Sequence, residues 1–296
     1  MDLLTVLAVF AVGLAVGVVS GLVGIGGGVL IVPFLYFFYD HPAIFGVHAA
    51  ADARIILAHG TSLFVIVPTA MRGALAFHRR GLVEWRAVWP IGIVSIVAAV
   101  AGSQLALQLP PDLLRLSFGI FLVFSGLQLV LRRPVAAAEP GISPGRLSLG
   151  ATVLSGAIIG LFSAILGVGG GVVAIPLLMY VVGVGLRRVA ATSMGIIAIT
   201  ATAGAASYMV SGFGAAGLPP GSVGYVDVVT GLAMFLGAVI SVRWGAFLNQ
   251  KLSPRKLSII FAVLFLLIGL RLIAGGTRAL LVALGQIFEY GIVVHI

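Results

Sequence analysis

Residues 20–33 read Ser-Gly-Leu-Val-Gly-Ile-Gly-Gly-Gly-Val-Leu-Ile-Val-Pro, and residues 163–176 read Ser-Ala-Ile-Leu-Gly-Val-Gly-Gly-Gly-Val-Val-Ala-Ile-Pro. The two phrases lie 143 residues apart and match position by position. Ser20 pairs with Ser163, Gly24 with Gly167, Gly26, Gly27 and Gly28 with Gly169, Gly170 and Gly171, and Pro33 with Pro176. Glycine weakens a helix by about 1 kcal/mol relative to alanine, so four glycines in five positions break one. Backbone freed at membrane depth must be buried in protein or line a cavity, because lipid cannot satisfy its hydrogen bonds. Two breaks at corresponding places in two halves point to the binding site of a transporter.

The surrounding composition sets the medium. Of 296 residues, 61% are hydrophobic and 8% charged, with a mean hydropathy of +1.24. Soluble domains carry about 25% charge, so this chain is a polytopic membrane protein with apolar stretches recurring along its length. The run at residues 3–19 lacks a positive leader and carries Asp2, which reads as a retained span rather than a signal peptide. Seventeen Lys and Arg against eight Asp and Glu give a net charge of +9. The basic residues cluster in short loops between spans, the positive-inside pattern, and not in a nucleic-acid surface. There is no cysteine, and the five histidines show no metal-ligand spacing, so no metal or cofactor is expected.

The duplication extends beyond the glycine phrase. At the same offset Gly13 and Gly17 match Gly156 and Gly160, Gly81 to Glu84 match Gly224 to Asp227, and Gly126 matches Gly269. Thr61-Ser62 matches Thr192-Ser193 at an offset of 131 instead. The first half therefore carries 12 extra residues around 40–52, and the second recovers 12 around 211–222. Insertions that compensate while the spans stay in register indicate a true internal repeat.

Each repeat reads as five helical segments, roughly 3–20, 27–39, 54–77, 86–107 and 113–131, then 147–164, 170–184, 188–210, 226–248 and 256–274. The expected organisation is a first repeat over 1–131, a cytoplasmic linker over 132–146, a second repeat over 147–275, and an apolar segment over 276–296. That last segment reads as a span, an interfacial helix or vector-derived sequence. Segments two and seven are too short to cross about 30 Å at 1.5 Å per residue. They are expected to form re-entrant hairpins with segments one and six. Each repeat then makes an odd number of crossings, and the repeats are inverted. Loop charge agrees: this topology gathers Arg72, Arg79, Arg80, Arg86, Arg132, Arg133, Arg146, Arg187, Arg188, Arg243, Lys251, Arg255 and Lys256 on the cytoplasmic side, 13 of the 17 basic residues. The fold expected is all-α and polytopic, in a cell membrane (the inner membrane of a bacterium). Its N-terminus lies outside, and its glycine loops meet near the midplane.

Inverted repeats would bring Gly24, Gly26, Gly27 and Gly28 to face Gly167, Gly169, Gly170 and Gly171. Successive glycine amides form anion-binding nests, and each loop opens a helix whose positive dipole end points the same way. Uncharged donors avoid an unpaired buried ion when the site is empty. Thr61, Ser62, Thr192 and Ser193 offer hydroxyls at matched positions. Each feature has a plainer reading as well. Glycine runs serve as packing faces or hinges, and Gly13, Gly17, Gly21, Gly156 and Gly160 read that way. Thr and Ser in spans bond back to their own helix. The repeat mate of His59 is Ala190; His59 offers a proton-coupling group or a structural histidine. Glu84 and Asp227 read as acids at helix N-termini. Neither glycine run fits a P-loop or a dinucleotide fingerprint. No catalytic constellation appears, which argues against an enzyme. A channel and a membrane accessory factor stay open as alternatives.

These residues resemble the TauE/SafE family of sulfite exporters, through the duplicated Gly-x-Gly-Gly-Gly-x-x-x-x-Pro phrase, the Thr-Ser pairs and the Gly-x-Val-Asp/Glu turns. The resemblance covers about residues 3–275. It implies a membrane carrier exporting sulfite or a related organosulfur anion by alternating access, with lipid as its surroundings and no nucleic-acid partner. Carriage of another small carboxylate or sulfonate, coupled to protons, is the alternative. A thiosulfate-importing branch with a similar repeat plan uses cysteines in its pathway, and this chain has none.

Overall fold

The computed structural model describes residues 1–24, 26–131, 148–249, 259, 262–263 and 265–275. The linker 132–146, the tail 276–296 and the basic residues Arg132, Arg133, Arg146, Lys251, Arg255, Lys256 and Arg278 lie outside the described residues.

The protein is all-α and polytopic. Helix α1 spans Leu3–Val23, α2 Gly28–Asp40, α3 Pro42–Phe45, α4 Arg54–His78, α5 Trp85–Gln108, α6 Pro111–Leu131 and α7 Leu149–Leu166. After α8, Gly171–Leu177, a π-helical turn covers Leu178–Val182, beginning two residues after Pro176. Helix α9 covers Leu186–Ser211, a short antiparallel ribbon pairs Ser222–Val223 with Val226–Asp227, and α10 covers Val228–Asn249. A last apolar helix, α11, spans Phe265–Gly275. Among the described residues six helices are long and apolar enough to cross a membrane: α1, α4, α5, α7, α9 and α10. Helix α2, at 13 residues, is too short to do so.

The chain divides into two compact units, Met1–Leu107 with Val135–Leu252, and Gln108–Pro134 with Ser253–Ile296. In the first, α4 and α9 form the centre and are the most deeply buried of the six spans. The remaining spans expose large apolar side chains such as Leu4, Leu7, Ile93, Val97, Leu154 and Leu236, as a lipid-facing surface requires. In the second unit, α6 and α11 approach through small residues. A Cβ on Gly269 would lie 2.8 Å from the carbonyl oxygen of Gly119.

Within the first unit the repeats interlock. Helix α1 packs on α10, with Gly13 against Met234, Gly17 against Ala238 and Gly21 against Val242, so the two run parallel. A Cβ on any of these glycines would lie 2.0–2.2 Å from an oxygen of α10. The mate helix α7 packs in the same sense on α5, with Gly156 against Ile91 and Gly160 against Ser95. The glycine spacings thus act as packing faces, across repeats rather than within them. Helices α5 and α9 also run parallel, joined by Ser95–Thr200 at 2.6 Å, Ser103–Ser207 at 2.5 Å and Gln104–Ser211 at 2.7 Å. Helices α4 and α9 are antiparallel, since Gly60 meets Tyr208, Leu63 meets Gly204 and Gly73 meets Met194. The two compensating insertions touch each other: the Ala50 amide donates to the Gly217 carbonyl at 2.8 Å.

Candidate substrate site at the glycine loops

Between α1 and α2 the chain passes through Gly24, Gly26 and Gly27 at φ of 76°, 81° and 83°, and between α7 and α8 through Gly167, Gly169 and Gly170 at 65°, 75° and 79°. A left-handed conformation repeated at the same three positions explains the glycines directly, since a Cβ there costs about 1–2 kcal/mol per residue. Each loop folds back on the helix it leaves. Gly27 sits over Val16 and Ser20, and Gly170 over their mates Ile159 and Ser163. The loops also meet: a Cβ on Gly28 would lie 2.5 Å from the Cα of Val168.

Each loop lies along the central helix of the other repeat. Gly24 rests on Ala190 and Gly26 reaches Ile197, both on α9. Gly167 rests on His59 and Gly169 reaches Ile66, both on α4. Gly26 and Gly169 each also contact the other isoleucine, so Ile66 and Ile197 form one shared apolar contact. Positions 59, 62 and 66, and likewise 190, 193 and 197, share a helix face. Ser62 and Ser193 therefore stand on the stripes the loops cover. All of these residues are buried.

The Thr-Ser pairs split into two roles. Thr61 Oγ1 accepts from the Asp227 amide at 2.9 Å, and Thr192 Oγ1 accepts from the Glu84 amide at 3.1 Å. Each threonine thus anchors the turn preceding α10 or α5 while keeping one hydroxyl proton to donate. Asp227 caps α10 through the Thr230 amide at 3.0 Å and also accepts from Thr230 Oγ1 and Tyr39. Its mate Glu84 pairs with Arg188.

Ser62 and Ser193 behave otherwise. Their Oγ atoms are buried with no hydrogen-bond partner among the described residues, and so are those of Ser20 and Ser163. Elsewhere the hydroxyls of Thr69, Thr200, Ser95, Ser103, Ser125 and Ser241 do bond to a carbonyl of their own helix. Ser155 and Ser222 share the unpartnered condition. Ser20 and Ser163 open the duplicated phrase, but as singletons on packed helices they carried no signal of a polar vacancy.

These roles predict opposite stability effects. Thr61→Val and Thr192→Val leave a backbone N–H without its acceptor and should each lower stability by about 1–3 kcal/mol. Ser62→Ala and Ser193→Ala remove a hydroxyl bonded to nothing and should leave stability unchanged or higher. Thermal unfolding in detergent distinguishes the two pairs.

His59 breaks the symmetry of the site. It is fully buried, its Nε2 lies 2.5 Å from the Tyr36 hydroxyl, and its Nδ1 has no partner among the described residues. The mates of His59 and Tyr36 are Ala190 and Met179. Among the described residues no group of three or more His, Asp or Glu side chains can hold a metal ion.

Residues 9–272 match the family model described as Sulfite exporter TauE/SafE. The chain belongs to the TauE/SafE family. It is 30% identical over 263 residues to a probable membrane transporter protein of Methanocaldococcus jannaschii, covering 88% of this chain and 92% of that one. It is 29% identical to the probable membrane transporter protein YunE of Bacillus subtilis, over 89% of this chain and 96% of the relative. A probable membrane transporter protein of Haemophilus influenzae is 25% identical, over 90% and 97%. No solved structure matches the chain. As a TauE/SafE protein the chain is a multi-pass membrane transporter and not an enzyme.

Proposed function

We propose that the protein exports a small oxyanion, sulfite or a related organosulfur anion, by alternating access through the two glycine loops. The observation that carries this reading is the unpartnered state of Ser62 and Ser193, buried on the stripes that the loops cover. Hydroxyls and loop amides supply hydrogen-bond donors without a fixed positive charge, as suits a site that must also be stable when empty.

The membrane arrangement supporting this is an inverted repeat. The mate helices α4 and α9 are antiparallel, α1 runs with α10, and α7 runs with α5 and α9. One end of the first unit then gathers Arg79 and Arg80 after α4, Arg86 opening α5, Arg187 and Arg188 opening α9 and Arg243 near the end of α10. There Arg80 Nη1 donates to the Ala246 carbonyl at 3.2 Å, and Arg243 lies 5.6 Å from the Trp244 ring. All three tryptophans of the chain, Trp85, Trp89 and Trp244, belong to this end. The tryptophans suit a membrane–water interface and the arginines make it the cytoplasmic one, with Asp2 and the N-terminus outside. The short helices α2 and α8 make the loops re-entrant, and the repeats are Met1 to Leu131 and residues 147–275. With the inside negative, each anionic charge moved outward gains about 2.3 kcal/mol per 100 mV, so export needs no second energy source against a modest gradient.

Calorimetric titration of purified protein with sulfite, sulfate, thiosulfate, sulfoacetate, taurine and lactate tests the substrate class. Saturable binding of sulfite or sulfoacetate, with no heat from zwitterionic taurine, is expected. Binding of none of the anions would overturn the proposal. A proton-coupled carrier is the second reading, favoured by the unpartnered Nδ1 of His59 against Gly167. It requires that His59→Gln abolish the pH dependence of flux.

A further inference from the structure

We infer that the anion is held not at one central point but at two equivalent half-sites, one on each side of an apolar barrier formed by Ile66 and Ile197. This rests on the glycine-loop reading and specifies its geometry. Ile66 and Ile197 are repeat mates, both fully buried, and both touch Gly26 and Gly169. They therefore occupy the point where the two repeats exchange. Ser62 lies one helical turn before Ile66 on α4, and Ser193 one turn before Ile197 on α9. Because α4 and α9 are antiparallel, those two steps lead in opposite directions from the isoleucine pair. The serines thus sit on opposite sides of it.

Each serine has its own loop. Ser193 lies between the contacts that Gly24 and Gly26 make on α9, and Ser62 between those that Gly167 and Gly169 make on α4. Both hydroxyls are buried and without partners among the described residues, as are those of Ser20, Ser155, Ser163 and Ser222, but these two stand on the stripes the glycine loops cover, where each can donate to a ligand. The amides of Gly24, Gly167 and Val168 already donate to carbonyls of the preceding helices, so the donor set of each half-site is one hydroxyl and the glycine amides further along its loop, suited to a compact singly or doubly charged oxyanion. Two bulky β-branched side chains between them keep the polar path discontinuous. Passage requires that Ile66 and Ile197 part as the loops move. The half-sites differ in one respect: the α4 side carries His59 and Tyr36, while the α9 side carries Ala190 and Met179.

The absence of native cysteine makes the test direct. Ser62→Cys and Ser193→Cys, each near-isosteric, are labelled with a membrane-impermeant anionic thiosulfonate in right-side-out and inside-out vesicles, with and without sulfoacetate. Leu122→Cys, fully buried in α6, sets the background rate. The inference expects Ser62→Cys to react from the outer face, Ser193→Cys from the arginine-bearing face, and sulfoacetate to slow both at least threefold. Adding Ile66→Ala and Ile197→Ala should make both cysteines reactive from either face. Labelling of both from the same face, with protection retained, would overturn the two-site inference and leave the glycine-loop site standing. Absence of sulfoacetate protection at both positions, or rates no higher than background, would overturn both. Should a cysteine variant fail to fold, Ser62→Ala and Ser193→Ala serve instead: each should raise the half-saturating sulfoacetate concentration on its own face only, and an equal rise on both faces would overturn the inference.

Discussion

Gly17→Val should prevent assembly of the first unit, leaving little or no monodisperse protein by size-exclusion chromatography in detergent. A Cβ at Gly17 would lie 2.1 Å from Ser241 Oγ, 2.2 Å from the Ala238 carbonyl oxygen and 2.7 Å from the Ala238 Cα. Two of these atoms are backbone, so no rotamer change relieves the clash and the helices must separate. Overpacking typically costs about 1–3 kcal/mol, and a rigid backbone contact belongs at or beyond the top of that range. Separation would also break the bond from Ser241 Oγ to the Leu14 carbonyl at 2.7 Å. In α7, Gly150→Ala is the matched control, because the nearest atom to a Cβ there is Ser148 Oγ at 4.0 Å. Normal recovery of Gly17→Val would show that α1 and α10 do not pack as described.

The second large effect is on transport. Gly26→Ala and Gly169→Ala should fold, yet lose most of their anion flux. At Gly26 the new methyl meets the Cγ2 methyls of Ile197 and Ile66 at 3.1 and 3.3 Å, and at Gly169 those of Ile66 and Ile197 at 2.9 and 3.1 Å; these are side-chain contacts with no backbone atom among them, and small shifts of the isoleucines relieve them. The backbone cannot, since φ of 81° at Gly26 and 75° at Gly169 costs an alanine about 1–2 kcal/mol. The loop relaxes instead, and on the proposed reading its amides leave the positions from which they would meet the anion. A hydrogen bond to a charged group contributes about 1.5–3 kcal/mol, which is roughly tenfold or more in affinity. The expected pattern is a modest fall in melting temperature with a flux reduced about tenfold or more. Wild-type flux in both variants would remove the loops from the substrate path.

Much of this arrangement is legible in the amino-acid order because it is written twice. The matched glycine phrases, the shift of offset at Thr61 and Thr192, and the short apolar segments after each loop gave segment boundaries close to the observed helices. Glycine's reason was also readable in kind, as a broken helix, though the left-handed φ at three matched positions is more specific than helix breaking. What could not be read was pairing across repeats. Gly13, Gly17 and Gly21 mark a packing face but do not say that α10, rather than a helix of their own repeat, covers it. Thr61 and Ser62 look alike as hydroxyl donors in sequence. Only tertiary contacts separate the threonine that holds the Asp227 amide from the serine that bonds to nothing in the described protein. Glu84 and Asp227 likewise share a place in the repeat, yet one meets Arg188 and the other meets Tyr39 and Thr230.

The central claim is that this TauE/SafE transporter moves a small anion outward through the glycine loops. Sulfite efflux from loaded proteoliposomes, measured at a series of imposed membrane potentials, tests it most directly. The account predicts saturable efflux that rises as the loaded interior is made more negative and that falls about tenfold or more in Gly26→Ala and Gly169→Ala. Efflux no faster than from protein-free vesicles, or efflux indifferent to both substitutions, would contradict it.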